Sequence, residues 1–458
     1  MENETRIPTF IERNSAIIKG VFIGFLILIL LIPTGMVQFL ITERQERETE
    51  AIEEVSSKWG NSQSFIGPIL KVPYFQINKL EKLNAAGEKE VELNKKIEYA
   101  YFLPDKLEIS GKIDPEKRSR GIYDITVYRS QMNFKGNFAE IPFQKMNVSS
   151  ENIIWKDAEV IITLSDFRGL EEEVILDWNG SKSNFNSGEE LVFGTGEQEN
   201  NNISGIYTPV VIENEGKSSN NFSFSINVKG SESLNFIPVG KTTEVHLESN
   251  WANPSFNGSF LPDKREVTAK GFTASWKVLH LNRDFSQYWT NTAPATIKSS
   301  SFGVKLISPN DNYQKSSRSA KYAILIISLT FLAFFFTEIV NSKKVHPFNY
   351  ILIGIALCIF YTLLISISEF FTFNIAYVIA TLMTIGLIFW YSKSIFGNKR
   401  PATIIALVML ALYGFIFVII QLEDTALLIG SIGLFIILAI TMYISRKIDW
   451  ANLGVKQS

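Results

Sequence analysis

The sequence has very few of the side chains that form disulfides and transition-metal sites. It contains one cysteine, Cys358, and three histidines among 458 residues. One cysteine permits no intramolecular disulfide, and a cysteine-based zinc site needs at least two thiolates. The 44 lysines and arginines nearly balance the 46 acidic residues, so the basic excess of a nucleic-acid-binding protein is missing. Nucleophile-elbow, phosphate-loop and HExxH motifs do not occur, so we predict no catalytic residue, metal or cofactor.

Long apolar runs, by contrast, are numerous and unevenly placed. Residues 20–42 carry no charge and are long enough for a bilayer core, which takes about 20 helical residues. The run lacks the small-residue cleavage site of a signal peptide, so we interpret it as an uncleaved anchor. Together with it, five later runs predict an α-helical membrane bundle of six transmembrane helices. These five lie at 322–340, 350–368, 375–392, 402–422 and 425–445.

The lysines and arginines predict how the spans are oriented. Eleven of them fall in residues 1–19, in the loops after the second and fourth spans, and in residues 446–458. The two short loops on the other side carry none. Because short loops rich in Lys and Arg stay in the cytoplasm, we expect both termini there and residues 43–321 outside it. The sequence therefore predicts a multi-pass protein of the inner (plasma) membrane, with the lipid bilayer as its first partner.

The extracytoplasmic region, residues 43–321, has the alternating pattern of β-strands. Apolar and polar residues alternate from Phe222 to Val228, and the same period recurs at 123–127 and 160–164. That period is typical of half-buried strands. The stretch 181–205 is rich in Asn, Ser, Gly and Glu and predicts an exposed loop. We expect a large β-rich extracytoplasmic (periplasmic) domain, either a sandwich or a large twisted sheet.

The beginning of this region differs from the rest. Residues 43–59 are dense in Glu and Arg and contain neither Pro nor Gly. They predict a helical continuation of the first span. Gly60 and Asn61 should end that helix, because glycine and asparagine are common helix stops.

An aromatic cluster in the β-rich region is a candidate binding surface. Trp251 and Phe256 belong to it, and Lys264 and Arg265 lie beside it in the sequence. The cluster could be a platform for carbohydrate or peptide. The favoured interpretation is a corner of the hydrophobic core, with the two cations facing water, because aromatic side chains dominate core burial.

Two polar patterns in the same region are further candidate sites. Glu244, His246 and Glu248 alternate along one predicted strand, so they share a face and could hold a metal. The solvated face of a half-buried strand is the favoured interpretation. Asp166 and Arg168 predict a turn with a surface ion pair, which is worth roughly 0–1 kcal/mol.

Three polar residues near the ends of the spans are further candidates. Glu338 is the ionisable residue placed inside a predicted span, where such groups are costly. The favoured interpretation is a carboxylate that reaches the interface and pairs with Lys343 or Lys344. His346 is expected to form loop hydrogen bonds, and Glu369 is expected to lie at the outer interface.

Short segments spread from the first span to the C-terminus form a specific pattern. They include Ser249–Trp251, Pro254–Phe256, Phe260–Pro262, Lys264–Val267, Lys321–Leu325, Glu338, His346–Pro347, Phe360–Tyr361, Glu369 and Ile448–Trp450. This pattern resembles the CreD family of bacterial inner-membrane proteins. The resemblance implies an association with cell-envelope integrity, under a sensor-kinase and response-regulator system. It supplies no catalytic residue.

These observations favour a non-enzymatic protein of cell-envelope integrity or the envelope stress response. Its extracytoplasmic domain would bind an envelope component, and the helices would anchor it. Two alternatives stay open at this point. One is a transporter or lipid-handling protein that works through the helix bundle. The other is an enzyme acting on cell-wall or lipid substrates, which would need acid–base groups in a cleft of the β-rich domain.

Overall fold

Helices lie at both ends of the chain and strands fill the middle. The computed structural model describes residues 15–83, 89–146, 148–192, 202–213, 216–307, 312–341, 343–422 and 425–446. The chain divides into a helical unit, residues 1–49 and 310–458, and a β-rich unit, residues 50–309. In the described ranges, six helices are long and apolar enough to cross a membrane. The predicted fold class, six transmembrane helices with a large β-rich domain after the first, is confirmed.

The helices follow the apolar runs closely. Their bounds are α1 Ser15–Trp59, α2 Thr296–Ser299, α3 Asn312–Lys321, α4 Ala323–Val340, α5 Pro347–Ser368, α6 Phe373–Phe396, α7 Lys399–Gln421 and α8 Ala426–Ser445. Six of them, α1 and α4 to α8, are the candidate spans. Each is one continuous helix because every backbone group in a bilayer core needs an internal hydrogen bond.

Helix α1 continues to Trp59, so the predicted helical continuation is confirmed. Gly60 ends it with a φ of +145°, and a Cβ there would lie 2.7 Å from the carbonyl oxygen of Lys229. Only glycine fits this position without strain. The Arg118 guanidinium lies 3.6 Å from the centre of the Trp59 ring, and Trp59 Nε1 donates to the Tyr128 carbonyl at 3.3 Å. These contacts lie within the β-rich unit, to which the last residues of α1 belong, and they hold the end of the helix in place.

The strands of the β-rich unit form two sheets. The strands are β1 Gln63–Leu83, β2 Lys89–Phe102, β3 Lys106–Arg120, β4 Tyr123–Phe138, β5 Glu159–Leu164, β6 Ile175–Trp178, β7 Ser181–Asn184, β8 Asn186–Val192, β9 Asn202–Pro209, β10 Asn220–Ser231, β11 Ser233–Phe236, β12 Thr242–Ser249, β13 Pro254–Gly258, β14 Lys264–Thr268, β15 Gly271–Leu279, β16 Tyr288–Thr290 and β17 Phe302–Leu306. The eight-stranded sheet has the order β14-β15-β12-β3-β4-β10-β6-β7. The nine-stranded sheet has the order β13-β17-β11-β1-β5-β9-β8, with β2 paired to β1 and β16 paired to β2.

The two sheets pack face to face around an apolar core. The Phe65 ring on β1 lies 5.4 Å from that of Phe134 on β4, and the Trp276 ring on β15 lies 5.7 Å from that of Phe302 on β17. Each pair joins one sheet to the other. Full burial of a large apolar side chain contributes roughly 1.5–3 kcal/mol. Of the two predicted architectures, the sandwich is the one formed.

The alternating patterns have two different outcomes. β10 buries Phe222, Phe224 and Ile226 and exposes the residues between them, so the predicted half-buried strand is confirmed there. β5 is different, because Val160 to Leu164 are all buried. This strand lies between β1 and β9, and both of its faces are covered, so the half-buried prediction is wrong for it.

The prediction of an exposed loop at 181–205 is largely wrong. β7 and β8 occupy most of residues 181–192, and β9 begins at Asn202. Residues 193–201 lie outside the described part of the chain. β7 and β8 are edge strands of the two sheets, and polar, charged sequences suit edges because they discourage pairing with other chains.

Helix α3 is polar and was not predicted from the sequence. It supplies hydrogen-bond partners for backbone groups at the ends of the membrane helices. Asn312 Nδ2 donates to the Ser368 carbonyl at 2.8 Å, and Asn312 Oδ1 accepts from the Phe373 N–H at 3.0 Å. These bonds link the end of α5 to the start of α6. Arg318 donates to the Leu422 carbonyl, just after α7, at 2.6 Å. Helix ends carry backbone groups without intrahelical partners, and α3 supplies partners for them.

Candidate functional site

The helical unit contains a cluster of charged and polar groups around Glu338, which lies in the last turn of α4. Lys19 Nζ on α1 donates to Glu338 Oε1 and also to the Val345 carbonyl, the latter at 2.6 Å. The Tyr350 hydroxyl donates to Glu338 Oε2 at 3.0 Å, and the Val345 N–H donates to Oε1 at 3.1 Å. We call Lys19, Glu338, Val345 and Tyr350 the ion-pair site.

Because the ion-pair site is largely buried, the charges and hydrogen bonds around Glu338 decide whether its carboxylate is tolerated. The side chain of Glu338 is 10% exposed and that of Lys19 is 18% exposed. A buried carboxylate is tolerated when a cation and hydrogen-bond donors compensate for lost water, and both are present here. The predicted pairing of Glu338 with Lys343 or Lys344 is wrong. Those two lysines are exposed, and the N–H and hydroxyl donors hold the carboxylate beside Lys19.

His346 lies next to the ion-pair site, but its hydrogen bond is made to the backbone at the start of α5. It is the residue before α5, and its Nδ1 accepts from the Phe348 N–H at 3.2 Å. Pro347 then occupies the first turn, where a missing N–H costs nothing. The predicted role of His346, a hydrogen-bonding loop residue, is confirmed.

Glu369 lies at the other end of α5 and is also paired. Its carboxylate is 3.3 Å from Arg44 Nε on α1, and its side chain is 12% exposed. Helix α1 therefore carries two ion pairs, made by Lys19 and Arg44. At 1.5 Å per residue these lie about 37 Å apart along the helix, close to the span of a bilayer with its headgroups.

The outward face of the eight-stranded sheet forms a second candidate site. Neighbouring strands place polar side chains in register, so that rows of them cross the sheet. One row is Lys264, Ser275, His246, Ser110, Asn133 and Ser225, and the next is Lys277, Glu244, Glu108, Lys135, Ser223 and Asp177. Side chains on alternate positions of a strand share a face, which gives the sheet one polar side over its whole width.

Three shallow depressions on this face are adjacent. Their volumes are about 690, 550 and 610 Å³, and Lys135 lines all three. The first and second also share Ser223 and Asp177, and the first and third share Glu108. We call these three adjacent depressions together the polar trough.

The charges in the polar trough are largely paired with one another. Lys277 lies 2.9 Å from Glu244, and Lys135 lies 2.7 Å from Glu108, which Lys106 also contacts. Hydrogen bonds from Lys106 and then Lys135 lower the pKa of Glu108, so its carboxylate is ionised at neutral pH. The trough therefore presents balanced charge rather than a field of one sign.

Glu244, His246 and Glu248 lie on the solvated face of a half-buried strand, as the favoured interpretation predicted, whereas the predicted Asp166–Arg168 ion pair takes a different form. Glu244 is engaged by Lys277, and His246 Nδ1 lies 2.9 Å from the Ser275 hydroxyl. In the described ranges, no group of three His, Cys, Asp or Glu side chains could hold a metal ion. The Asp166 carboxylate does pair with Arg168, but it is buried rather than on the surface and also accepts the Asn61 N–H at 3.0 Å.

The aromatic cluster packs against the sandwich core. The Phe256 ring lies 5.6 Å from that of Phe272, and Trp251 Nε1 donates to the Ile307 carbonyl at 3.0 Å. Lys264 and Arg265 lie on β14, an exposed edge strand, and Lys264 lines the polar trough. The structure thus brings Lys264 to a candidate site and leaves the aromatic rings in packing contacts.

Sequence reasoning missed several members of both sites. By sequence, Tyr350 is an ordinary span residue, and Lys19 indicates only the orientation of the first span. Ser110, Asn133 and Ser225 each alternate with apolar residues, but their alignment in one row depends on strand order. The order of the strands was not predictable, so the row was not either.

Taken together, six membrane-spanning helices, a β-rich unit after the first of them and ion pairs between the helices define a multi-pass membrane protein with one large inserted domain. The family described as inner membrane protein CreD matches residues 15–451. The chain therefore belongs to the CreD family, and its multi-pass location in the inner membrane follows.

Two known proteins show how far the likeness extends. Inner membrane protein CreD of Escherichia coli K12 is 29% identical over 426 residues, which cover 93% of this chain and 91% of the relative. A Legionella pneumophila crystal structure, described as a nutrient-binding protein, covers 48% of this chain and 82% of its own. Its sequence is 9% identical and its TM-score is 0.21, too low for any argument about fold or function.

Proposed function

We propose that this CreD-family protein maintains the integrity of the cell envelope without catalysing a reaction. Its β-rich unit lies outside the cytoplasm and binds an envelope component. Its helical unit anchors that domain in the inner membrane. The family resemblance noted in the sequence points in the same direction.

The observation that carries this proposal is the distribution of basic residues around the six helices. Eleven lysines and arginines fall on one side and none in the short loops on the other. By the positive-inside rule, this distribution supports a location of the chain between α1 and α4 on the envelope side. The unit in that position is a sandwich whose eight-stranded sheet has an open polar face.

The chemistry of the polar trough favours binding over catalysis. General acids and bases usually need pKa values moved toward neutrality. Glu108 and Glu244 are instead held in ion pairs with lysines, and the pKa of Glu108 is lowered. A carboxylate with a lowered pKa, such as Glu108, is a poor proton donor or acceptor at neutral pH, so its ion pairs contribute to the structure of the surface.

The alternative function, a transporter or lipid-handling protein, would work through the helical unit. Glu338 is the group there that could bind a substrate or a proton. Both of its carboxylate oxygens are already occupied by Lys19, Val345 and Tyr350. This arrangement favours a structural role, and a Glu338→Gln chain that folds should therefore keep full function.

The proposal is tested by the barrier of a strain that lacks the protein. Dye entry and detergent sensitivity are measured with no complementation, with the full chain, and with a chain in which a flexible linker replaces residues 62–307. This deletion keeps α1 and α3, because α3 satisfies the ends of the membrane helices. Membrane levels of the two chains are matched.

We expect the strain without the protein to leak and only the full chain to restore the barrier. An intact barrier in that strain contradicts the envelope role. Rescue by the chain without residues 62–307 contradicts the assignment to the β-rich unit, and it turns attention to uptake or export through the helices.

A further inference from the structure

We propose that the polar trough binds a neutral polysaccharide strand, rich in hydroxyl and amide groups, which lies across the strands of the eight-stranded sheet. This inference rests on the proposed function, because it names the class of the envelope component. It follows from the shape, the charge and the side-chain chemistry of the trough.

The shape fits a linear polymer better than a compact ligand. The trough is lined from Lys264 on β14, at one edge, to Lys182 next to β6, at the other edge. Strands lie about 4.8 Å apart, so the seven intervals between eight strands make a path of about 34 Å. The path is open along its length, and a chain can lie in it without threading.

The charge of the trough fits a neutral polymer. Of the five lysines that line the trough, three are already engaged: Lys277 by Glu244, and Lys135 and Lys106 by Glu108. The other two, Lys182 and Lys264, lie at its opposite ends. An anionic polymer would have to displace these carboxylates, and a cationic one would have to displace the lysines. Complementary surfaces match in potential, so a balanced surface selects a ligand without net charge.

The side chains between the charges fit hydroxyl and acetamido groups. Ser110, Asn133, Ser223 and Ser225 are exposed, short and able both to donate and to accept hydrogen bonds. Ser225 Oγ donates to Asn133 Oδ1 at 2.7 Å, which orients these two groups on neighbouring strands. Short side chains lose little conformational freedom when a ligand binds, so they suit an extended contact surface.

Apolar side chains flank this polar surface. Ile175 lines the trough near one edge and is 47% exposed, and Leu279 lines it toward the other and is 39% exposed. Sugar rings have apolar faces that pack against such residues. A polar floor with isolated apolar contacts is the pattern that pyranose rings need.

Sedimentation with purified peptidoglycan sacculi tests this inference on the full chain in detergent micelles. Two single variants, Ser225→Tyr and Ser110→Tyr, each place an aromatic ring in the trough. Ser187→Tyr is the matched control, because Ser187 is an exposed strand residue at the edge of the nine-stranded sheet. All four chains are first shown to melt at the same temperature.

We expect the wild-type chain and Ser187→Tyr to pellet with the sacculi, and both trough variants to bind about tenfold more weakly. A soluble neutral chito-oligosaccharide should compete with the sacculi. Binding should change little between about 50 and about 500 mM salt, since ionic contacts would be screened over that range.

Three results would overturn the inference. They are no wild-type binding above empty micelles, equal binding by the trough variants, and loss of binding in high salt, which would identify an ionic partner. The proposed function has a separate test. If the full chain restores the barrier but does not bind sacculi, the envelope role stands and the polysaccharide assignment fails.

Discussion

Lys19 and Glu338 form a buried ion pair although 319 residues separate them in the sequence. One lies in the first membrane helix, and the other lies in the second, beyond the whole β-rich unit. The pair therefore fastens α1 to α4. Arg44 and Glu369 make a second such contact at the other end of α1, so this helix is tied to the rest of the helical unit at both ends.

Removing one member of the Lys19–Glu338 pair should destabilise the helical unit strongly. Lys19→Met leaves a buried carboxylate without its cation, which costs about 3–5 kcal/mol in buried pairs. Lys19→Met/Glu338→Gln removes both charges and should recover part of that loss. Thermal unfolding of the full chain in detergent measures the loss of stability in each variant. Lys344→Met, at an exposed lysine, is the control. Additive effects of the two substitutions would contradict a coupled pair.

Asn312→Ala should loosen the end of α5 and the start of α6. The substitution removes the bonds to the Ser368 carbonyl and from the Phe373 N–H, each worth roughly 0.5–1.5 kcal/mol. Hydrogen exchange at residues 368–373 should become faster, while exchange in the β-rich unit stays unchanged. Lys321→Ala, an exposed position on the same helix, is the control. Equal exchange in Asn312→Ala and the wild type would show that α3 does not hold these ends.

The stability of the β-rich unit should fall in acid because of Asp166. Burial raises the pKa of this carboxyl, but hydrogen bonds from Arg168 and from the Asn61 N–H outweigh burial and lower it. A pKa lowered by folding contributes stability above the unfolded value of about 3.9, and that stability is lost as the pH falls through the folded value.

Urea unfolding of the full chain, followed by near-ultraviolet circular dichroism from about pH 6 down to about pH 3, measures this contribution. Asp166→Asn should lower stability at neutral pH and flatten the acid loss, and Asp157→Asn, at an exposed aspartate, should do neither. An unchanged acid slope in Asp166→Asn would assign the loss to other carboxyls.

The parts of the fold that follow from local pattern were predictable. An apolar run of about 20 residues predicts a span because the bilayer sets its length, and the runs do coincide with α1 and α4 to α8. Strict alternation predicted β10 because one face of that strand is buried. Gly60 predicted the end of α1 because its backbone conformation favours glycine.

Features that depend on distant contacts were not predictable. Nothing near Glu338 in the sequence indicates Lys19, so nearby lysines were the natural but wrong choice. Helix α3 is short and polar, and its buried residues are Tyr313, Ser316, Ser319 and Ala320, so no apolar run marks it in the sequence. Side-chain hydrogen bonds to other helices hold it. β7 and β8 look like loops because edge strands tolerate polar residues.

The central claim is that the β-rich unit faces the envelope, and single-cysteine labelling tests it most directly. Cys358, the one native cysteine, is replaced by serine. Ser187→Cys then reports on the β-rich unit, and Lys344→Cys reports on the loop between α4 and α5; both positions are exposed. Cells with a permeabilised outer membrane are treated with a membrane-impermeant maleimide.

We expect Cys at 187 to be labelled in these cells and Cys at 344 to be labelled only after the inner membrane is broken. Labelling at 344 with protection at 187 would place the β-rich unit in the cytoplasm and contradict both the envelope role and the polysaccharide site.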